Sequence, residues 1–217
     1  MANANRPGII TVTPARPAAE AIQTAASVIK AGGIIAYPTR CLYGLGADAF
    51  NRDAVAKIFS IKQRSAQKPV LILIDQLKQL ERLVTHIPEI AAAIIRRFWP
   101  GSVTLVFEAG GDVIPELTGG TGKIGIRLPG HPVASALVKA VARPITGTSA
   151  NLSGGPGCRI AGDLAPEVVH RLDLILDAGP LEGGPGSTVV DVSGGGRPII
   201  LREGVIAARD IMMLVEG

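Results

Sequence analysis

The first residues that could do chemistry are two cations, Lys62 and Arg64, one residue apart in the tripeptide KQR. A helical pattern ends there, and an apolar run begins at residue 69. On an extended segment alternate side chains point the same way, so both cations could face one anion. A polyphosphate suits such a pair, because lysine supplies a point charge and arginine a two-pronged donor. The alternative is a helix end whose dipole the cations complement, worth about 0.3 to 1 kcal/mol.

Two further segments place hydroxyl, phenol and amide groups directly after apolar strands. In YPTRCLYGLGAD, Thr39 and Tyr43 lie in a predicted loop that follows a strand, and such loops commonly bind ligands. In TSANLSGG, Ser149 and Asn151 could hydrogen-bond a carboxylate, a ribose or a phosphate. The alternatives are a tight turn with a packed tyrosine in the first segment and an Asx or serine turn in the second.

The same arrangement, a polar residue beside an apolar strand, recurs later in the chain. It is found at Ser187 in GSTVVDV, at Arg202 in LREG and at Arg127 in GIRLPGHP. No one of these motifs is specific by itself. Their order along the chain carries more information than any single motif.

Single residues exclude several familiar catalytic motifs. GGTGKIG would need glycine at Leu117 and a hydroxyl at Ile124 to form a phosphate-binding loop, so we favour a glycine-rich turn before a strand. GTSAN has Asn151 where a nucleophile elbow closes with glycine. The three histidines lack metal-ligand spacing. The sequence thus argues against P-loop NTPases, serine hydrolases and zinc hydrolases, and it predicts no metal held by the protein.

Composition limits the class of protein without choosing a function. The chain has 217 residues and is 47% hydrophobic, enough for one large domain with a core. Its net charge of +4 suits an anionic ligand, whether nucleotide or nucleic acid. We see no secretory signal and no apolar run near the roughly 18 to 20 residues that span a bilayer. Two distant cysteines without metal or CxxC spacing favour a reducing, cytoplasmic location with no membrane partner.

The elements that must position these residues alternate between helices and strands. Residues 1–16 are predicted to be an extended lead-in, and residues 17–217 a single domain. Helical spacing predicts helices over 18–33 and 52–63, the second capped by Asn51. Because the last third has several strands with little helix between them, the predicted fold is an α/β structure with a mixed sheet flanked by helices.

Taken in order, the motifs resemble those of the YrdC-like family, which includes the threonylcarbamoyl-AMP synthases. The matching segments are PT..LYGLGAD, KQR, FWPGSVTLVF, IGIRLPGHP, TSANLSGG, GSTVVD and LREG, and they span about residues 18 to 210. The resemblance implies a twisted sheet with a concave, positively charged cavity. It also implies the synthesis of threonylcarbamoyl-adenylate and pyrophosphate from L-threonine, bicarbonate or CO₂, and ATP with Mg²⁺. The product would serve the transferase machinery that makes N6-threonylcarbamoyladenosine at position 37 of tRNA, with tRNA a further candidate partner.

The resemblance also implies a role for each matching residue. Lys62 and Arg64 would be the catalytic pair that holds the ATP phosphates. The other nucleotide contacts would be Asn151, Arg202 and, from the loop after TSAN, Arg159. The threonine pocket would be formed by Thr39, Tyr43, Arg127, Ser149 and Ser187. The chain departs from the family pattern where Arg40 and Cys41 follow the PT dipeptide and where Ser65 replaces the usual proline after KQR.

Two other functions fit the same resemblance. One is a YrdC-like module that binds double-stranded RNA or tRNA without synthase activity, although the chain has few aromatic residues to stack on bases. The other is a carbamoyl-adenylate-forming domain like those of hydrogenase maturation proteins, which use carbamoyl phosphate in place of threonine.

Overall fold

The computed structural model describes residues 6–216, which form eleven strands and eight α-helices. The strands are β1 Gly8–Thr11, β2 Ile35–Pro38, β3 Tyr43–Gly46, β4 Ile72–Leu73, β5 Val103–Glu108, β6 Lys123–Arg127, β7 Ile145–Thr146, β8 Thr148–Ser149, β9 Leu174–Asp177, β10 Thr188–Asp191 and β11 Ile199–Arg202. The helices are α1 Ala19–Lys30, α2 Arg52–Lys62, α3 Leu80–Leu83, α4 Glu89–Phe98, α5 Pro115–Thr118, α6 Pro132–Val141, α7 Pro166–Val169 and α8 Ala208–Glu216. None of these helices is long and apolar enough to cross a membrane.

The strands divide between two mixed sheets. One has the order β1-β9-β2-β3-β8, and the other has the order β11-β10-β5-β6-β4-β7. Parallel pairs such as β10 with β5 stand beside antiparallel pairs such as β5 with β6. The prediction of an α/β fold with mixed pairing and flanking helices is therefore confirmed.

The two sheets meet where the chain passes from β7 to β8. The Thr146 hydroxyl donates to the carbonyl of Leu45, 3.0 Å away, and accepts from the amide of Ala47 at 3.1 Å. The Tyr37 hydroxyl donates to the Thr146 carbonyl at 3.2 Å. These bonds satisfy backbone groups that the break between the sheets would leave unpaired. Residues 145–149 thus form two short strands, one in each sheet.

Helix packing follows the apolar spacing in the sequence. In α1 the buried residues recur every three or four positions, at Ala21, Ile22, Ala25, Ala26 and Ile29. They pack in one apolar cluster with the buried face of α6. A second cluster joins the core face of β5 and β6 to α4. The sheets are therefore held by helices on their outer faces, which leaves another face of the six-stranded sheet free to line a cavity.

Two local predictions need correction. Residues 43–46 were expected in a loop, but Tyr43–Gly46 is a buried strand paired with β2. Its glycines are needed there, because a Cβ at Gly46 would lie 3.1 Å from the ring of Tyr37. Of the two alternatives given for KQR, the extended segment is wrong and the helix end is confirmed: α2 continues through Lys62, and Gln63 ends it with a left-handed φ of 48°. Its start is as predicted, since Asn51 accepts the Ala54 amide at 3.0 Å.

The N-terminal lead-in is part of the fold where the structure describes it. Gly8–Thr11 is a strand that pairs in parallel with β9, from Gly8 opposite Leu174 to Thr11 opposite Asp177. Residues 1–5 of the predicted lead-in lie outside the described residues. In the apolar run that begins at residue 69 only Ile72–Leu73 is a strand, because the Val70 amide bonds instead to the Leu117 carbonyl at 2.9 Å.

Candidate functional site

A cavity of about 560 Å³ lies over the face of the six-stranded sheet that no helix covers. Strand alternation creates its floor, because successive side chains point to opposite faces. On β5, Val103, Leu105 and Phe107 enter the core, whereas Thr104 and Val106 line the cavity. The remaining floor residues on this face are Lys123, Gly125 and Arg127 of β6, and Val189 and Asp191 of β10. A volume of this size accommodates a nucleotide-sized ligand.

Four cations and one carboxylate line this cavity. The cations are Arg64, Lys123, Arg127 and Arg202, and the carboxylate is Asp191. Asp191 is bonded to Lys123 at 3.0 Å, which leaves three arginines without a carboxylate in the lining. A second cavity of about 510 Å³ adjoins the first and shares part of its wall, namely Thr39, Cys41, Arg127, Gly186 and Ser187.

Arg127 and Arg202 form the most unusual pair in the cavity. The Arg127 Nε is buried and has no hydrogen-bond partner among the described residues. Burial lowers the pKa of Arg127, and repulsion by the nearby Arg202 adds to that effect. Leaving a charged donor buried and unpaired is unfavourable unless a ligand satisfies it. The pair therefore marks a position for an anionic group.

Ser187 lies beside this pair and is fixed by its neighbours. Arg202 Nη2 donates to the Ser187 carbonyl at 2.8 Å, and the Ser187 hydroxyl is 2.8 Å from that of Thr104. A hydroxyl held in this way can still donate to or accept from a ligand. Ser187 is buried in the protein but contributes to the walls of both cavities.

Lys62 is buried away from the cavity and is held by a neighbouring loop. Its ammonium donates to the Ser149 carbonyl at 2.5 Å, to the Asn151 carbonyl at 2.7 Å and to Asn151 Oδ1 at 3.3 Å. Its three donors are thereby used. Burial, and secondarily Arg64, lowers the pKa of Lys62 to about 8. Lys62 thus organises the loop 148–155, and it does not line either cavity.

Arg64, two residues later, has its side chain in the cavity wall. Its Nε donates to the Lys68 carbonyl at 3.1 Å and its Nη2 to the Pro69 carbonyl at 2.7 Å. A guanidinium has five N–H donors, so others remain for a ligand. Burial lowers the pKa of Arg64, but an arginine keeps its charge under all ordinary conditions.

Thr39 and Tyr43 line the cavity, but their hydroxyl groups are already hydrogen-bonded within the protein. The Thr39 hydroxyl donates to the Leu42 carbonyl at 2.6 Å, which closes the turn between β2 and β3. The Tyr43 hydroxyl bonds to the Gly179 carbonyl at 2.8 Å and accepts from the Ala178 amide at 2.9 Å. Burial raises the pKa of Tyr43 to about 12. Tyr43 therefore packs as a core residue and presents its ring to the cavity.

The structure brings seven of the ten predicted site residues to one cavity. They are Thr39, Tyr43, Arg64, Arg127, Ser149, Ser187 and Arg202. Lys62 and Asn151 lie behind its wall, with Asn151 Oδ1 accepting from the Ser149 hydroxyl. Arg159 is exposed, and neither cavity lining includes it. Its carbonyl accepts from the Leu181 amide at 2.8 Å.

Sequence reasoning missed the polar residues of the cavity floor. Thr104, Lys123 and Asp191 line the cavity, and each is a polar residue in an alternating strand. The alternation was a usable signal, because polar side chains that alternate with core residues along a strand lie on the face opposite the core. Within residues 6–216 no group of three or more histidine, cysteine or acidic side chains could hold a metal ion.

Fold and cavity together define a mixed α/β domain with a cation-lined cavity of nucleotide size. Residues 27–204 match the Sua5/YciO/YrdC family model, described as telomere recombination. The chain belongs to this family.

Two relatives named threonylcarbamoyl-AMP synthase illustrate the similarity. The protein from Pyrococcus abyssi is 38% identical over 195 residues, which cover 89% of this chain and 57% of the relative. The protein from Coxiella burnetii (strain RSA 493 / Nine Mile phase I) is 38% identical over 162 residues, covering 75% of this chain and 87% of the relative. The chain thus spans little more than half of the Pyrococcus protein but most of the Coxiella protein.

Two solved structures share the fold. Pyrococcus abyssi Sua5 complexed with L-threonine superimposes with a TM-score of 0.90 at 37% identity, over 95% of this chain and 60% of that one. Escherichia coli YciO superimposes with a TM-score of 0.82 at 26% identity, over 95% of this chain and 99% of that one.

Proposed function

We propose that this chain is an L-threonylcarbamoyladenylate synthase, a nucleotidyltransferase that uses L-threonine, bicarbonate or CO₂, and ATP. The observation that carries the proposal is Arg127 beside Arg202 in a nucleotide-sized cavity, with a buried Arg127 Nε that has no hydrogen-bond partner among the described residues. Relatives named for this activity, and a structural neighbour complexed with L-threonine, support the choice of substrates.

The cavity offers separate positions for the two anionic substrates. Ser187 precedes β10 and Asp191 ends it, so about 13 Å of strand separates the two ends of the floor. Arg127, Arg202 and Ser187 at one end suit the carboxylate of an amino acid. Arg64, bound to the Pro69 carbonyl before β4, suits the phosphates of ATP. Asn151 acts through Ser149, and Thr39 and Tyr43 shape the wall.

The reaction needs positioning and charge stabilisation rather than a protein nucleophile. The threonine amine adds to CO₂ to give a carbamate and releases a proton. A carbamate oxygen then attacks the ATP α-phosphorus and pyrophosphate leaves. Arg64 would stabilise the phosphate charge, and the enclosed wall would hold the carbamate against the phosphorus.

Lys62 serves this reaction indirectly. Because its donors are occupied by Ser149 and Asn151, we assign it the positioning of the loop that carries the Ser149 hydroxyl. The direct phosphate contact expected for Lys62 stays a prediction, as does the nucleotide contact expected for Arg159. Mg²⁺ would enter bound to the ATP phosphates. Four further expectations stay predictions: bicarbonate as the carbon source, delivery of the product to a tRNA-modifying transferase, tRNA binding, and a cytoplasmic location.

The test is pyrophosphate release from ATP by the purified chain. We expect release that requires both L-threonine and bicarbonate. We expect Arg127→Met to lose this threonine-dependent release. Release supported by carbamoyl phosphate without threonine would instead identify the carbamoyl-adenylate reaction. A folded chain that releases no pyrophosphate with either substrate set would contradict both activities and leave the RNA-binding alternative.

A further inference from the structure

The second cavity, of about 510 Å³, is formed by two sequence motifs to which the proposed function gives no role. Its lining includes all of FWPG, residues 98–101, and all of PGHP, residues 129–132. The Gly101 amide joins the two segments, because it donates to the Leu128 carbonyl at 2.9 Å. This bond holds His131 and the end of α4 at the same cavity.

The lining of the second cavity has more cations than acids. Its arginines are Arg40, Arg97 and Arg127, and Glu182 is the one acid among the lining residues that the structure describes. Glu182 is paired with Arg40 at 2.8 Å. Within residues 6–216 no carboxylate pairs with Arg97, whose guanidinium lies 5.4 Å from the centre of the Phe98 ring. The cavity therefore attracts an anion.

Two buried nitrogens on the wall, Arg127 Nε and His131 Nδ1, have no hydrogen-bond partner in the described part of the chain. His131 precedes α6 but does not cap it with its side chain. Burial lowers the pKa of His131, an effect that Glu182 only partly offsets, so the ring is uncharged at neutral pH. When Nε2 carries the proton, Nδ1 accepts a hydrogen bond. The wall thus offers a charged donor and a neutral acceptor, and both favour a polar ligand.

The position of this cavity selects among the three proposed substrates. It adjoins the first cavity at Arg127 and Ser187, whereas Arg64 lines the first cavity alone. The proposed function places the threonine carboxylate beside Arg127 and the ATP phosphates beside Arg64, so these two substrates occupy the first cavity. The third substrate has to meet the threonine amine, and the second cavity opens beside that amino acid.

Bicarbonate matches the chemistry of this wall. The ion carries one negative charge, two oxygens that accept hydrogen bonds and one O–H that donates. A guanidinium donates parallel N–H groups to a pair of oxygens, and Arg127 has five donors, enough for the threonine carboxylate and a second anion. An uncharged imidazole nitrogen accepts an O–H, a group that the carboxylate of the amino acid lacks. The volume exceeds that of one bicarbonate ion, so the ion would bind at the shared end, next to Arg127.

We propose that the second cavity is the bicarbonate site, in which Arg97 attracts the ion, Arg127 binds its oxygens and His131 Nδ1 accepts its O–H. The inference rests on the proposed function for the identity of the anion. In the reaction the amine nitrogen forms a bond to the bicarbonate carbon and the C–OH bond breaks. The released hydroxide takes the proton that the amine loses, so the products are the carbamate and water. His131 is assigned binding and orientation of the ion, and no proton transfer.

Carbon-13 NMR of labelled bicarbonate tests binding apart from turnover. We expect the purified chain to broaden the bicarbonate resonance, and His131→Leu to weaken binding by about tenfold, the value of one hydrogen bond to a charged group. His131→Gln keeps an acceptor oxygen and should lose less than about threefold. The matched controls are His86→Leu and Arg96→Met, two exposed residues outside both cavity linings, which should bind bicarbonate as the native chain does.

Pyrophosphate release at varied substrate concentrations tests the same residue during turnover. In His131→Leu the KM for bicarbonate should rise about tenfold, and the KM values for ATP and L-threonine should change by less than about twofold. Arg97→Met should raise the bicarbonate KM by about two- to fivefold, because a more exposed charge contributes less. An equal rise in the KM for L-threonine would overturn the assignment, since His131 would then shape the whole site.

Three further outcomes separate this inference from its alternatives. Undiminished bicarbonate binding in His131→Leu, or displacement of labelled bicarbonate by an equal concentration of pyrophosphate, would overturn the bicarbonate site. If His131-dependent bicarbonate binding is found without threonine-dependent turnover, the bicarbonate site stands and the synthase proposal fails. If turnover requires bicarbonate but His131→Leu keeps the native KM for it, the synthase proposal stands and this inference fails.

Discussion

Lys62 and Arg64 carry the same charge one residue apart, yet they occupy opposite environments. The Lys62 ammonium is fully buried, and three oxygens of the loop 148–155 satisfy it. The Arg64 guanidinium lines an open cavity and keeps donors available. The change of direction comes from Gln63, whose left-handed backbone ends α2 between them. Equal charge in a motif therefore does not mean equal environment: Lys62 holds the loop behind the wall, and Arg64 faces the cavity.

Replacing Lys62 should have the largest effect and should act on folding. In Lys62→Met the aliphatic stem is kept, but the buried carbonyls of Ser149 and Asn151 lose their donor. Each unsatisfied group is costly, so we expect the free energy of unfolding to fall by about 2 to 4 kcal/mol. Urea unfolding measures this loss. An unfolding free energy equal to that of the native chain would break the comparison, because Lys62 would then not be a structural cation.

Replacing Arg64 should affect binding and spare stability. Arg64→Ala removes two hydrogen bonds to carbonyls at a partly exposed site, so the free energy of unfolding should change by less than about 1 kcal/mol. The KM for ATP should rise by about 10- to 100-fold, since charge-assisted bonds to phosphate are lost. Steady-state pyrophosphate release at varied ATP measures the change. Exposed Arg171→Ala, whose guanidinium contacts Ser60, is the matched control.

Arg127 sharpens the comparison, because its buried Nε has no hydrogen-bond partner among the described residues, whereas the Lys62 ammonium has three. In Arg127→Met the buried, unsatisfied Nε disappears, so we expect an unchanged or slightly higher free energy of unfolding, by up to about 1 kcal/mol. The KD for L-threonine, measured by calorimetry, should rise at least about tenfold, because the carboxylate loses its counter-charge. A variant that is both destabilised and unimpaired in threonine binding would contradict the assignment of Arg127 to the ligand.

The sequence predicted features whose signals are local. The cap at Asn51, the start of α2 and the buried face of α1 follow from neighbouring residues, and the structure confirms them. The partners of Lys62 could not be predicted in this way, because they lie 87 and 89 residues away. β3 was missed for a related reason. Its glycines lack strand propensity, and packing against Tyr37 of the adjacent strand compensates for that deficit.

The cavity shows the same difference between features set by neighbouring residues and features set by contacts between distant parts of the chain. Arg127, Ser187 and Arg202 were predicted singly, and their convergence depends on the pairing of β6, β5, β10 and β11. Lys123 and Asp191 were missed, because only the register of the sheet shows that they face the same ligand space as Arg64. The resemblance to a family supplied the expectation that the motifs meet, and the sheet supplies the physical reason.

The last prediction is a pH dependence of stability that separates Lys62 from Arg64. The pKa of Lys62 is about 8 in the folded chain, against 10.5 for an ordinary lysine. Between these values the unfolded chain binds more protons than the folded chain. The contribution of Lys62 to the free energy of unfolding therefore rises with pH from about 8 to 10.5. Below about pH 8 both states are protonated, and the destabilising effect of burying the charge is fully present.

The measurement compares the native chain with Lys62→Met by urea unfolding at pH 7.5, 8.5 and 9.5. The difference in unfolding free energy should widen across this series, because only the native chain has the titrating amine. The corresponding difference for Arg64→Ala should stay constant, since the guanidinium remains charged throughout. A constant difference for both variants would mean that Lys62 keeps an ordinary pKa. The two cations would then share one environment, contrary to the carbonyl contacts that the structure shows.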